Sequence, residues 1–110
     1  MDITKTRVFT HLKINHKSVS QFFEEFEILY PEFVNQHLII DFSEKINIEI
    51  QEIVLFLSLS VKHRKSGKSF VIICENINLD KIPDEINIVP SFTEAIDILE
   101  MDAIERDLGF

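Results

Sequence analysis

The chain has 110 residues, with 11 lysines and arginines against 19 aspartates and glutamates, and its formal net charge is -8. Its length fits one small domain spanning residues 1–110, and its 45% hydrophobic content argues against disorder. The acidic balance argues against nucleic acid and anionic membranes as partners, because both are bound mainly through cations. The single cysteine excludes an internal disulfide, and two glycines exclude a glycine-rich phosphate loop.

The start of the chain gives no indication of export. Residues 1–7 carry no apolar stretch after their charges, unlike a secretory signal. The longest apolar run, residues 53–57, is far shorter than the roughly 20 residues of a membrane span. We therefore expect a cytoplasmic protein, and the single cysteine agrees with a reducing compartment.

The first half of the chain predicts a strand, a helix and a second strand. Loose alternation of apolar side chains predicts a strand over residues 7–14. Ser18 and Gln21 have the spacing of a capping box and open a helix with an aromatic stripe on one face. The apolar residues 37–42 then have the pattern of a central strand that is buried on both faces.

The second half continues the alternation. Asn47 is a suitable N-cap for a central helix whose last turn, residues 62–65, is basic and which ends at Gly67. Strands are predicted over residues 69–74 and 86–89. A second capping box at Ser91 opens a last helix with an inward face: Phe92, Ala95, Ile96, Leu99 and Ala103. This order predicts a small α/β fold with a mixed, mostly parallel sheet of about four strands and helices packed on it.

No residue pattern indicates catalysis. The four histidines lack the spacing of metal ligands, so we interpret them as solvated and expect no metal site and no cofactor. Cys74 is interpreted as a core residue, since no cation or helix start near it in sequence would activate the thiol. The basic cluster at residues 62–68 suits a helix C-terminus better than a phosphate site. We therefore expect that the protein is not an enzyme.

The central helix has more apolar surface than one sheet can cover. Leu55, Phe56 and Leu59 fall outside the stripe that a helix usually buries. Either a neighbouring helix covers these side chains, or they form an exposed strip for self-association, for example in a homodimer.

The middle of the chain resembles the STAS domain, the fold of anti-sigma factor antagonists and of the cytoplasmic tails of sulfate transporters. The resemblance lies in residues 38–43 (LIIDFS), in a helix that ends in basic residues before Gly67, in residues 70–74 (FVIIC) and in residues 89–96 (VPSFTEAI). It covers about residues 36–100 and implies a non-catalytic regulatory domain that binds a protein, such as a kinase-like anti-sigma factor or another regulator.

The resemblance also implies a position for the binding site. Family antagonists carry Asp-Ser-Ser-Gly at the start of the central helix, and the partner kinase phosphorylates a serine there. That motif falls on residues 49–52 (EIQE), which contain no hydroxyl, so phosphorylation at this site is not expected. The family's partner surface corresponds here to Ser43, Asn47, Glu49, Gln51 and Glu52.

A second resemblance, through residues 105–110 (ERDLGF), is to short bacterial proteins sometimes labelled ribonuclease Z. Ribonuclease Z itself has a metallo-β-lactamase fold and a His-x-His-x-Asp-His zinc motif, and this chain lacks that motif. The alternatives to a STAS-like regulator are therefore an accessory protein linked to RNA processing and a self-associating scaffold.

Overall fold

In the computed structural model, which describes residues 1–16, 18–44 and 48–109, strands and helices alternate around one sheet. The strands are β1 (Asp2–Lys5), β2 (Phe9–Lys13), β3 (His37–Asp41), β4 (Phe70–Ile73) and β5 (Asn87–Val89). The helices are α1 (Val19–Leu29), α2 (Ile50–Val54), α3 (Leu57–Lys65) and α4 (Phe92–Asp107), with short 3-10 helices at Tyr30–Glu32 and Leu79–Lys81.

The sheet follows the chain, in the order β1-β2-β3-β4-β5. β2, β3, β4 and β5 are parallel neighbours, while β1 runs antiparallel to β2. The predicted α/β class is confirmed, but the sheet has five strands where about four were expected. The additional strand, β1, is exposed along its whole length, so no buried side chain marks it in the sequence.

The face of the sheet that α1, α2 and α3 cover holds most of the core. Phe22 and Phe26 of α1 pack with Phe56 and reach Phe42 and Phe70 on the sheet side. All five of these rings are at most 1% exposed. Burying a side chain of this size stabilises a fold by about 1.5–3 kcal/mol, so this aromatic cluster is the main apolar contribution to the stability of the chain.

Helix α4 covers the opposite face of the sheet. Ala95 and Leu99 pack on Ile39, Val71 and Ile73. Phe92 and Ala103 were predicted to face inward but are not buried: Phe92 is 41% exposed although its ring packs against Phe9, and Ala103 is also exposed. The reason is that α4 lies mainly over β3, β4 and β5, so these two residues lie at the margin of the contact, beside β2, where the cover is incomplete.

The central helix is divided, which sequence periodicity did not predict. α2 ends at Val54, a tight turn follows in which the Phe56 amide donates to the Ile53 carbonyl at 3.0 Å, and α3 begins at Leu57. The N-cap of α2 is Glu49, where Asn47 was expected, and Asn47 lies outside the described residues.

The turn between α2 and α3 determines which of Leu55, Phe56 and Leu59 are exposed. Phe56 is fully buried against α1, so the prediction that it lines an exposed seam is wrong. Leu59 is half-buried against the core, and Leu55 is 40% exposed. A neighbouring helix therefore covers the largest of these side chains, as one of the two interpretations held.

Candidate functional site

The candidate site is the edge of the sheet at which β2, β3 and β4 end. We call this the carboxyl edge and define it by those strand ends together with residues 42–44 and 48–52. Because β3 ends at Asp41 and α2 begins at Ile50, the chain turns over this edge before it enters the helices. In open α/β sheets, functional sites commonly lie outside the carboxyl ends of the strands.

Asp41 is the fixed centre of the carboxyl edge. It is only 5% exposed, and its Oδ2 lies 2.7 Å from Nε2 of His11 on the neighbouring strand. Since a carboxylate only accepts, this contact places the proton on Nε2 of the imidazole. The other oxygen, Oδ1, accepts the backbone N–H of Ser43 at 2.8 Å. These bonds tie the turn after β3 to the strand, so residues 42–44 have a defined position.

Burial and hydrogen bonding have opposite effects on the pKa of Asp41. Burial raises the pKa, but hydrogen bonds from Ser43 and His11 outweigh burial and hold it below its ordinary value. The carboxylate is therefore ionised at neutral pH, and its two oxygens accept the hydrogen bonds that hold the edge in place.

Two further contacts border Asp41. The imidazole of His11 lies against Phe92, with 5.1 Å between ring centroids, and so links the start of α4 to the edge. On the outer side, Lys13 Nζ lies 2.8 Å from Glu44 Oε1, and this hydrogen bond raises the pKa of Lys13. The side chain of Glu44 is 70% exposed, so this pair is accessible to water and to a partner.

The start of α2 carries its own hydrogen-bonded group. The Glu49 amide donates to Glu52 Oε1 at 2.9 Å, as in the carboxylate arm of a capping box. Gln51 Nε2 donates to Glu49 Oε2 at 2.7 Å. Glu49 and Gln51 are exposed and Glu52 is half-buried, while Ile48 and Ile50 pack on the core beneath them. This surface is therefore polar where it faces solvent, and Ile48 and Ile50 attach it to the core.

No protein-family model matches the chain, and no curated protein shows significant similarity to it. The STAS resemblance therefore depends only on the sequence segments quoted above.

Four of the five predicted partner-binding residues lie on the carboxyl edge. Glu49, Gln51 and Glu52 are joined by hydrogen bonds, and Ser43 is bound to Asp41 on the strand side. The fifth, Asn47, lies outside the described residues. The sequence had not indicated His11 or Asp41 as the groups that brace this surface.

The expectation that the histidines are solvated is wrong. None of the four is exposed, and His63 is fully buried. Each ring forms a tertiary hydrogen bond: His11 with Asp41, His16 with Glu25, His37 with the Ser69 amide, and His63 with Tyr30 and the Gln36 carbonyl. Helical spacing offered one signal, since His63 continues the buried positions Ile53, Phe56 and Ser60.

The predicted core role of Cys74 is confirmed, since the thiol is buried and burial raises its pKa. The cavity beside Cys74, about 120 Å³, is well below the roughly 300 Å³ at which ligand pockets usually begin. Within residues 1–16, 18–44 and 48–109, no three potential metal ligands cluster. Over the same ranges, no helix combines the length and apolar character needed to cross a bilayer.

Proposed function

We propose that this chain is a non-catalytic, STAS-like regulatory module of the cytoplasm that binds another protein through its carboxyl edge. The partner we infer has a basic surface, as a kinase-like anti-sigma factor or a similar regulator could present.

The observation that carries this proposal is the negative charge of the carboxyl edge, whose exposed groups are held in place by hydrogen bonds. The described carboxylate residues at or next to the carboxyl edge include the buried Asp41 and five others: Asp2, Glu44, Glu49, Glu52 and Glu75. The cations among the described residues there include Lys13, which already pairs with Glu44, and the amino group of Met1 beside Asp2. Such a surface attracts a basic partner and speeds its association.

The shape of the edge also favours a macromolecule over a small substrate. The cavity beside Cys74 is too small for most ligands, and the exposed groups at Glu44, Glu49 and Gln51 project from a turn and a helix start. Hydrogen bonds inside the surface hold these groups in place before binding, which lowers the entropy lost on association.

Binding through this surface would not be switched by phosphorylation at the start of α2. Residues 49–52 offer no hydroxyl, and Glu49 supplies a permanent negative charge at that position. A carboxylate carries less charge and fewer acceptor oxygens than a phosphate. We therefore infer a constitutive module in which the family's switch residue is replaced.

The test compares two variants with the same change in charge. Glu44→Arg with Gln51→Arg alters the carboxyl edge and leaves the Glu52 cap intact. Glu27→Arg with Ile28→Arg makes the same change in charge at exposed positions near the end of α1, away from this edge. The wild-type chain and both variants serve as baits in a lysate of the organism that produces the protein, and the captured proteins are identified by mass spectrometry.

The proposal predicts a protein that the wild type and the α1 variant capture and that the edge variant loses. Capture should weaken with added salt, because charge pairs at an exposed interface are screened. It should also be unchanged by phosphatase treatment of the bait. If the edge variant captures the same set of proteins as the wild type, the carboxyl edge is not the interface.

A further inference from the structure

The opposite edge of the sheet holds a groove that the proposed function does not use. We call this the amino edge and define it by the starts of β2, β3 and β4 together with residues 6–8, 35–36 and 66–69. The groove has a volume of about 330 Å³. The polar residues that line it are Thr6, Arg7, Asn35, Gln36, His37 and Lys68.

The charge of this groove is opposite to that of the whole chain. Arg7 and Lys68 line it, and no carboxylate does so among the described residues, although the net charge of the chain is -8. Arg106 and Lys68 lie close enough to His37 to act on the charge of its ring. Asp102 acts in the opposite direction, but its carboxylate accepts the hydroxyl of Ser69 at 2.7 Å and lines a neighbouring groove.

His37 presents a neutral donor to the groove. Its Nδ1 accepts the Ser69 amide at 2.8 Å, which leaves the proton on Nε2. Burial, with the nearby Arg106 and Lys68, lowers the pKa of His37, so the ring is neutral at physiological pH. No described residue accepts the Nε2 proton. The imidazole is therefore positioned to donate to an oxygen of a ligand.

Gln36 is the second available group. Its backbone carbonyl accepts Nε2–H of the buried His63 at 2.6 Å, which fixes this segment of chain. Its side-chain Oε1 is buried without a hydrogen-bond partner among the described residues. The side chain also lines the groove, and its NH₂ group is the part that can donate to a bound oxygen.

An apolar cavity of about 280 Å³ adjoins the groove at His37. Its walls include Phe9 and Val8 from the β2 side and Ile96, Leu99 and Ala103 from α4. Two charged residues of opposite sign, Glu100 and Arg106, border this cavity too. A ligand that fills both spaces therefore needs an anionic head and an apolar group attached to it.

We propose that the amino edge binds a phosphate monoester with a short aromatic or aliphatic substituent. Two cations, an imidazole N–H and an amide surround the head, and two cations without a carboxylate match a dianion better than a monoanion. The substituent lies in the cavity against α4. This site is at the opposite edge from the protein-docking surface and does not depend on the proposed function.

The test uses phenyl phosphate as the probe and follows backbone amide shifts of the full chain by NMR. Inorganic phosphate tests the head alone, and benzoate tests a monoanion with the same ring. Arg7→Ala and Lys68→Ala each remove one groove cation. Lys13→Ala makes the same charge change at the carboxyl edge and serves as the control.

Phenyl phosphate should give saturable shifts at residues that line both spaces, and it should bind at least about tenfold more tightly than inorganic phosphate or benzoate. Arg7→Ala and Lys68→Ala should each weaken binding by about tenfold or more, because hydrogen bonds to charged groups are the stronger kind. Lys13→Ala should leave affinity within about twofold, as expected for a screened, distant charge.

Several results would overturn the proposal. One is the absence of saturable shifts up to about 10 mM phenyl phosphate, which excludes even weak binding. Another is unchanged affinity in both groove variants while their spectra show a folded chain. Equal binding of benzoate would exclude the phosphate head, and equal binding of inorganic phosphate would exclude the apolar part of the site.

Discussion

The hydroxyl of Tyr30 donates to Nδ1 of His63 at 2.8 Å in the interior of the protein. The other ring nitrogen of His63 donates to the Gln36 carbonyl, so this histidine joins the end of α1, the start of β3 and α3. A carbonyl only accepts, and this fixes the tautomer and makes Nδ1 the acceptor for Tyr30. The three groups form a chain of hydrogen bonds whose central member, His63, is fully buried.

Replacing Tyr30 with phenylalanine should lower the free energy of unfolding by about 1–3 kcal/mol, because the buried Nδ1 of His63 would lose its donor. Urea denaturation measures this change. Ser58→Ala removes an exposed hydroxyl from α3 and should alter stability by less than about 0.5 kcal/mol. Equal stability of Tyr30→Phe and the wild type would show that the bond contributes nothing.

The stability of the wild type should carry a pH dependence that His63→Gln lacks. Burial lowers the pKa of His63 from 6.5, so the unfolded chain takes up this proton at a higher pH than the folded chain does. The contribution of the neutral ring is therefore complete above pH 6.5 and is lost as the pH falls below that value. His37 acts in the same direction, and it is present in both proteins.

The measurement is urea denaturation of both proteins at a series of pH values from neutral to mildly acidic. Taking the difference between the two removes the titration of every other group that they share. The expected result is a stability difference that shrinks as the pH falls. A constant difference would mean that the pKa of His63 is the same in the folded and unfolded chains.

Thr10→Val should stabilise the fold by about 1 kcal/mol. Thr10 is fully buried, and its Oγ1 has no hydrogen-bond partner among the described residues. Valine has nearly the same shape and no hydroxyl to desolvate. Thr4→Val on exposed β1 is the matched control, expected within about 0.5 kcal/mol of the wild type. Thermal unfolding of both variants decides this, and a lower melting temperature for Thr10→Val would contradict it.

Phe56→Ala and Leu55→Ala should differ sharply although the two residues are adjacent. Phe56 is fully buried among aromatic rings, and its truncation should cost about 3–5 kcal/mol. Leu55 is 40% exposed, and its truncation should cost less than about 1 kcal/mol. Denaturation midpoints of the two variants measure the difference. An equal loss of stability in both would contradict the turn that buries Phe56 and exposes Leu55.

The same turn bears on self-association. With Phe56 in the core, the predicted seam is reduced to Leu55 and the half-buried Leu59. Two leucines offer far less than the roughly 1,200 Å² that a stable interface buries. Leu55→Glu is therefore expected to leave the sedimentation coefficient unchanged. A wild-type dimer that this substitution dissociates would restore the self-association interpretation.

The elements that sequence predicted well are those marked by a short local pattern, either a continuous apolar run or a capping serine. The apolar runs of β3 and β4 and the capping serines Ser18 and Ser91 are visible as local patterns. β1 was missed because an exposed edge strand shows no alternation of burial. The break before α3 was missed because neither proline nor glycine marks it, and only the packing of Phe56 against α1 requires it.

In the candidate site, too, the sequence indicated residues that are close together in the chain and missed those that are far apart. Resemblance pointed to Glu49, Gln51 and Glu52, which are adjacent in the chain and lie together in the structure. The pair of His11 and Asp41 could not be found in this way, because it joins residues 30 positions apart through the register of two strands. The cationic groove depends likewise on Arg7 and Lys68, which only the sheet brings together.

Hydrogen exchange measured on the captured complex locates the surface of the chain that the partner covers. Partner binding should slow exchange of amides within residues 42–44 and 48–52, while amides of residues 6–8 and 66–69 at the amino edge should exchange as they do in the free chain. Protection confined to the amino edge or to the outer face of α4, with no change at residues 48–52, would contradict binding through the carboxyl edge.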